Sequence, residues 1–296
     1  MKRVMMFLVV LLIVPSLVLL SGDKPKVKKG AELTLVSGTL VQWKDIEKVD
    51  FTKTPEKRVM KAVMNFQNPR KIVKKSSTAD PVVQTGFSRN GQELDRGTLA
   101  IPTPTIQFAG MNLSANGAGW PPDTNGDVGI NHYVQVVNTS IGIYNKTTGA
   151  PVSTTTFNAF FPSAVGSPCD NNNQGDPIVQ YDPYNQRWII FDFAWSGTSN
   201  GSFFSIAASK TSDPTGAWWT YCLHADNTLM NDYPKSGVWP DGIYMTANMF
   251  SFSGSFQHVK IWVLKVPDIY NGTLTVQSLT DGSYEAWSIM PSNAKD

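Results

Sequence analysis

From Trp120 onward the apolar residues come in short runs separated by clusters of Gly, Asn, Asp and Pro. No 3.6-residue period persists there beyond two turns, so the pattern predicts strands and tight turns rather than helices. Three passages repeat one order. The first runs Gly126-Asp127-Val128, then His132 to Asn138, then Ile141 to Tyr144, and closes at Gly149. The second runs Gly175-Asp176-Pro177, then Arg187 to Phe193, then Phe204 to Ala208, and closes at Gly216. The third runs Asp232-Tyr233-Pro234, then Gly242 to Asn248, then Val259 to Leu264, and closes at Gly272. Each unit reads as a short inner strand, two longer strands, a turn ending in Gly, and an outer strand such as Ala217 to Leu223.

The units open at Asp127, Asp176 and Asp232, spacings of 49 and 56 residues. About four short strands recurring every 40–50 residues is the signature of propeller blades. The expected fold is therefore all-β and β-propeller-like, with four-stranded blades. A β-sandwich is the competing architecture, but it leaves the Asp at the head of each repeat unexplained. Three units cannot close a ring of four to eight blades. Tyr284 to Pro291 looks like the opening of another unit, so the expected set of blades is incomplete and the domain C-terminally truncated; residues 30–110 are the other possible source of the missing sheet.

Upstream the sequence changes character. Met1-Lys2-Arg3 followed by the almost unbroken apolar run Val4 to Leu20 has the form of a secretory signal. Leu20-Ser21-Gly22 lacks the usual small residue three before a cut, so residues 1–22 are either a cleaved signal or an N-terminal anchor. Both send the chain out of the cytoplasm, to the cell surface or the medium. Residues 23–110 form a basic N-terminal region and linker, and residues 111–296 the propeller-like domain.

The chain's 25 basic and 23 acidic residues hide a division. Residues 23–110 carry 16 basic against 9 acidic residues, and residues 111–296 carry 7 against 14. An acidic domain is a poor match for a phosphate backbone, which excludes nucleic acid as its partner. Cys169 and Cys222, both beyond the leader of an exported chain, are expected to form a disulfide closing a 53-residue loop.

Pro121 to Gly129 followed by Asn131-His132-Tyr133-Val134-Gln135, Gly175-Asp176-Pro177 with Tyr181-Asp182 and Arg187-Trp188, Thr211 to Gly216, and Asp232 to Lys235 with Gly237 to Asp241 resemble the motifs of a group of secreted bacterial proteins, mostly uncharacterised. The resemblance spans about residues 118–295 and implies a propeller-like exported module; it implies no established reaction. A looser similarity joins Ser209 to Trp218 to the Asp-box turn of sialidases and other glycosidase propellers, with the Asp213–Gly216 spacing one residue off. That box is a fold-stabilising turn and implies architecture alone.

Two constellations carry candidate chemistry. At the heads of innermost strands, Asp127, Asp176 and Asp232 could converge on a central channel. Glycoside hydrolysis needs two such carboxyls, one of raised pKa and one ionised. The other use of an Asp beside Gly and Pro is to cap its own turn. Only Glu285 and Arg187 represent their types after residue 110, which argues against a sialidase, whose substrate carboxylate needs an arginine cluster. The second constellation, Asp123, Asn125, Asp127 and Asn131, places oxygens at positions 1, 3, 5 and 9, as calcium loops do; Asx-turns are the alternative. Val128 and Val134 stand where an EF-hand has Gly and Glu. Gly197 to Gly201 has the nucleophile-elbow spacing but lies in a polar turn, and His132, His224 and His258 are not spaced as a zinc pair. Trp218 and Trp219, adjacent in a strand, must face opposite sides, so one of them is available to stack on a sugar if it is not packed between blades. These features point to an exported module that binds a glycan or protein ligand, with a glycoside hydrolase and a structural surface domain as the alternatives.

Overall fold

A computed structural model of the chain describes residues 32–48, 104–113, 122–161, 168–170, 175–195, 201–280 and 287–294. The leader, Trp120, Asn171 to Asn173, Thr198 to Asn200 and Glu285 lie outside the described residues.

The fold is all-β. Strands β1 (Glu32–Ser37) and β2 (Thr39–Gln42) are followed by three antiparallel meanders, in chain order. The first comprises β3 (Thr124–Val128), β4 (His132–Val137), β5 (Ser140–Asn145) and β6 (Pro151–Thr156). The second comprises β7 (Ile178–Asp182), β8 (Arg187–Trp195), β9 (Ser202–Ser209) and β10 (Ala217–Asp226). The third comprises β11 (Leu229–Val238), β12 (Gly242–Ser251), β13 (Phe256–Lys265) and β14 (Thr273–Thr280). Each sequence unit thus makes its own sheet.

Residues 32–42, which lie in the basic N-terminal stretch given above as the other possible source of sheet, carry two strands. β1 pairs with β14 at the edge of the third sheet, and β2 with β10 at the edge of the second. Gly38 lies at the switch between them. A Cβ there would stand 2.6 Å from the Tyr221 ring, so only glycine lets the chain cross from one sheet to the other.

The core follows from strand periodicity. In β8, Ile189, Phe191 and Phe193 face the third sheet and pack with Met245, Met249, Trp262 and Leu264. Trp188 and Ile190, on the opposite face, pack with Val134, Val136, Ile141 and Ile143 of the first sheet. The middle sheet is therefore covered on both faces, which is why β8 is apolar on both of its faces instead of alternating, interrupted between Trp188 and Trp195 only by Asp192. Trp218 and Trp219 do face opposite sides; Trp218 is fully buried, and Trp219 packs against Gly272 and the third sheet. Among the described residues the exposed tryptophans are Trp239 and Trp287.

Cys169 and Cys222 are bonded, with Cα atoms 5.8 Å apart, tying the connection between the first two sheets onto β10. In the chain-entropy account a closed loop of this length is worth about 4 kcal/mol. Replacing both cysteines by serine should lower the free energy of unfolding, measured with denaturant, by an amount of that order without abolishing the strand signature in circular dichroism; an unchanged free energy would show that the bridge adds nothing.

Candidate functional site

The first strands of the three sheets, β3, β7 and β11, lie side by side as sheet edges. An edge strand leaves every second N–H without a ladder partner. Here side chains supply the acceptors. Asn125 Oδ1 accepts from Val179 N–H at 3.0 Å and Asp127 Oδ2 from Tyr181 N–H at 2.7 Å, so two alternate residues of β3 hold β7. Between β7 and β11, Gln180 donates to the Ser236 carbonyl at 3.0 Å and accepts from the Ser236 hydroxyl at 2.8 Å. Asn293 Oδ1 then takes the Val238 N–H at 2.7 Å.

At the leading ends of these strands the chain brings together carboxyls from all three sheets. Asp176 immediately precedes β7 with Gly175 and Pro177, and its φ of 56° is one that Asp tolerates. Asp232 lies within β11 where the pairing with β12 slips between Asp232 and Lys235. Pro234 occupies the slip, where no ladder N–H is needed, and Tyr233 takes a φ of 52°. The bulge turns both Asp232 and Lys235 toward Asp176. The third carboxyl is that of Asp123, which is hydrogen-bonded to Asp176 and also accepts from Asn138 Nδ2 at 2.7 Å.

Burial, then the nearby Asp232 and Asp123 carboxyls, push the Asp176 carboxyl up to about 7, against the pull of Lys235. Asp232 is raised too, chiefly by burial, while its bond from Tyr233 N–H at 2.9 Å and Lys235 hold it down. Asp192 on β8 is 1% exposed and is raised well above the ordinary range by that burial, despite accepting from Phe193 N–H at 2.8 Å. Burial lowers the Lys235 ammonium and the three surrounding carboxyls raise it. Its Nζ donates to the Pro234 carbonyl at 2.9 Å and sits 3.3 Å from the centre of the Tyr233 ring. The arrangement holds a proton at neutral pH on a carboxyl flanked by others, which suits proton donation or recognition of a cationic or polyhydroxylated group.

Of the three aspartates proposed to converge, the structure brings Asp176 and Asp232 together. Asp127 lies four residues beyond Asp123 and spends its oxygens on backbone, Oδ2 on Tyr181 and Oδ1 on its own neighbour Val128 at 2.8 Å. The correction is one of register: in the first unit it is Asp123, not Asp127, that precedes the inner strand as Asp176 precedes β7. The proposed metal quartet changes for the same reason. Residues 124–128 form an extended strand instead of a loop, which spaces the side chains of Asp123, Asn125 and Asp127 roughly 7 Å apart along one edge. Asn125 and Asp127 are turned to β7, and Asn131 is exposed in the following turn. Among the described residues no group of three or more His, Cys, Asp or Glu is arranged to hold a metal ion. Lys235 and Asp192 were not anticipated; the sequence signal for Lys235 is its place directly after Asp232-Tyr233-Pro234.

No family model matches the chain, and no curated protein matches it. A solved structure that it matches is a candidate exo-beta-1,3-galactanase from Bifidobacterium bifidum s17, 10% identical, covering 55% of this chain and 92% of that one, with a TM-score of 0.24. A superposition that loose carries no argument about fold or chemistry.

The raised Asp176 carboxyl has a consequence for stability. Folded, it keeps its proton to about pH 7; unfolded, it loses it near the ordinary value of 3.8. Between those values the folded chain binds more protons, so this group's contribution to stability falls as pH rises through the window. Asp176→Asn, which removes the charge, should therefore raise the thermal midpoint by several degrees at pH 8 and by little at pH 4. A difference from wild type that does not vary with pH would refute the assignment.

Proposed function

We propose that this protein is an exported β-propeller-like module that acts by binding an extracellular ligand. Three four-stranded meanders in chain order, with their first strands adjacent, support reading the sheets as successive blades of a ring that these three do not close. The Cys169–Cys222 disulfide supports an oxidising compartment outside the cytoplasm. Among the described residues no helix is long and apolar enough to cross a membrane.

The observation that carries the binding reading is how the carboxyls are used. Asp127 and Asp232 hold backbone N–H groups, and Asp123 holds Asn138 and Asp176. A glycosidase instead keeps its two carboxyls about 5–9.5 Å apart, with the scissile bond between them. Two carboxyls in direct hydrogen-bond contact, as Asp123 and Asp176 are, leave no room for a sugar oxygen.

A second reading rests on Asp176 and Asp232. One carboxyl held protonated near neutrality beside another is the combination a glycoside hydrolase uses as its acid. The two readings part in one experiment, in which the purified chain is incubated with a panel of neutral and acidic polysaccharides, and retention and released reducing ends are both measured. Retention without release is expected, and unchanged when calcium is chelated. Release that Asp176→Asn and Asp232→Asn each reduce by a hundredfold or more would replace the module with the hydrolase.

A further inference from the structure

The segment 104–113 crosses the face of the first sheet that is turned away from the middle one. It is pinned there by the Met111 N–H, which donates to Gln135 Oε1 at 2.8 Å, and by the Phe108 ring, 5.9 Å from Tyr133 and 5.1 Å from Tyr144. Between strap and sheet runs an open groove of about 420 Å³, within the range of small-ligand sites. Its walls include Ile106, Phe108, Val128, Tyr133, Gln135 and Lys146. The phenol of Tyr133 lies flat across β3 because residue 126 is glycine; a Cβ there would meet its hydroxyl at 2.3 Å.

Three features of the groove define a ligand. Phe108 and Val128 are 39% and 48% exposed, so an apolar surface of ring and aliphatic carbon stands open beside the Tyr133 ring. Gln135 has its carbonyl oxygen committed to the strap, which leaves its amide NH₂ as a donor without a bond among the described residues. Lys146 is exposed, gives one of its three donors to the Gly129 carbonyl at 3.0 Å, and among the described residues is the one charged side chain lining the groove. The carboxylate that bears on the groove is that of Asp127, which is close enough to raise the Tyr133 phenol but is turned to the Tyr181 N–H of β7.

We infer that this groove binds a uronic-acid unit of an acidic glycan. The C–H face of the pyranose lies on the exposed Phe108 ring, with Tyr133, turned 75° from it, against the edge of the sugar; the Gln135 amide donates to ring hydroxyls, and the sugar carboxylate pairs with Lys146. The site is distinct from the aspartate cluster, since Asp123 and Val128 lie at opposite ends of β3, roughly 17 Å apart for an extended strand. The cluster would repel the same ligand. The inference rests on the binding reading above and names its ligand and its place.

The test is affinity electrophoresis of the full chain in gels containing polygalacturonate or a neutral galactan, with dissociation constants for oligogalacturonides from calorimetry. Wild type should be retarded by polygalacturonate at least tenfold more strongly than by galactan, and less so at high salt. Lys146→Glu, at an exposed position and with its fold checked by circular dichroism, should weaken oligogalacturonide binding at least tenfold, as should Tyr133→Ala, whereas Lys210→Glu, the same charge reversal at an exposed position beside the second sheet, should not weaken it. Retention by polygalacturonate that both groove variants leave unchanged would overturn this site while sparing the binding reading. Equal affinity for the neutral polymer would overturn the acidic ligand. Retention by no polysaccharide would remove the glycan ligand altogether.

Discussion

Strand β8 carries large apolar side chains on both of its faces, and neither face can be left to water. Burying a side chain the size of Trp188, Ile190, Phe191 or Phe193 contributes about 1.5–3 kcal/mol each. The middle sheet, to which β8 belongs, must therefore be covered twice, by the first meander on one side and the third on the other. The order of the three sheets follows, as does the alignment of their first strands along one line. That alignment creates the polar problem which the rest of the structure answers, since three sheet edges with spare N–H groups come to lie next to one another.

The answer is a set of short amide and carboxylate side chains. Asn125, Asp127, Gln180 and Asn293 each reach across to a neighbouring edge, and their bonds fix the relative height of the sheets in a way that apolar contact cannot. Once the heights are fixed, the residues preceding or interrupting the first strands are brought to one place. Asp123, Asp176, Asp232 and Lys235 meet there because of that alignment, and their partial removal from water gives Asp176 its unusual proton affinity. Charge repulsion among these acids is tolerated because the sheets on which they sit are held by the buried layers behind them.

The two outer sheets differ from the middle one in having a face that, among the described residues, no other sheet covers. Single strands of chain cross those faces instead. Residues 287–294 bond to Thr246 and Asn248 on the third sheet, and residues 104–113 to Gln135 on the first. A strap covers less than a sheet would, and on the first sheet the remainder is the groove beside Tyr133. The groove is thus a by-product of where the stack of sheets leaves a face incompletely covered.

Much of the strand pattern was legible in the residues. β4, β5, β8, β9, β12 and β13 match the runs of alternating and apolar residues, because side-chain direction in a strand is set locally by its period of two. The pairing of Cys169 with Cys222 was likewise given by there being two cysteines in an exported chain. The stretch 30–110 was legible only as a possible source of further sheet; the bounds and partners of β1 and β2 were not, because Glu32 to Gln42 forms strands by pairing with β14 and β10, far along the chain. Nor was the membership of the acid cluster. Asp123 and Asp127 sit on similar turn-forming sequence, and which of them faces Asp176 depends on the register of β3 against β7, a contact between residues about 54 positions apart. Sequence by itself determined which segments extend and which turn, since those preferences act between neighbours. Tertiary structure alone decided which polar groups share a site, since that depends on how whole sheets are stacked and braced.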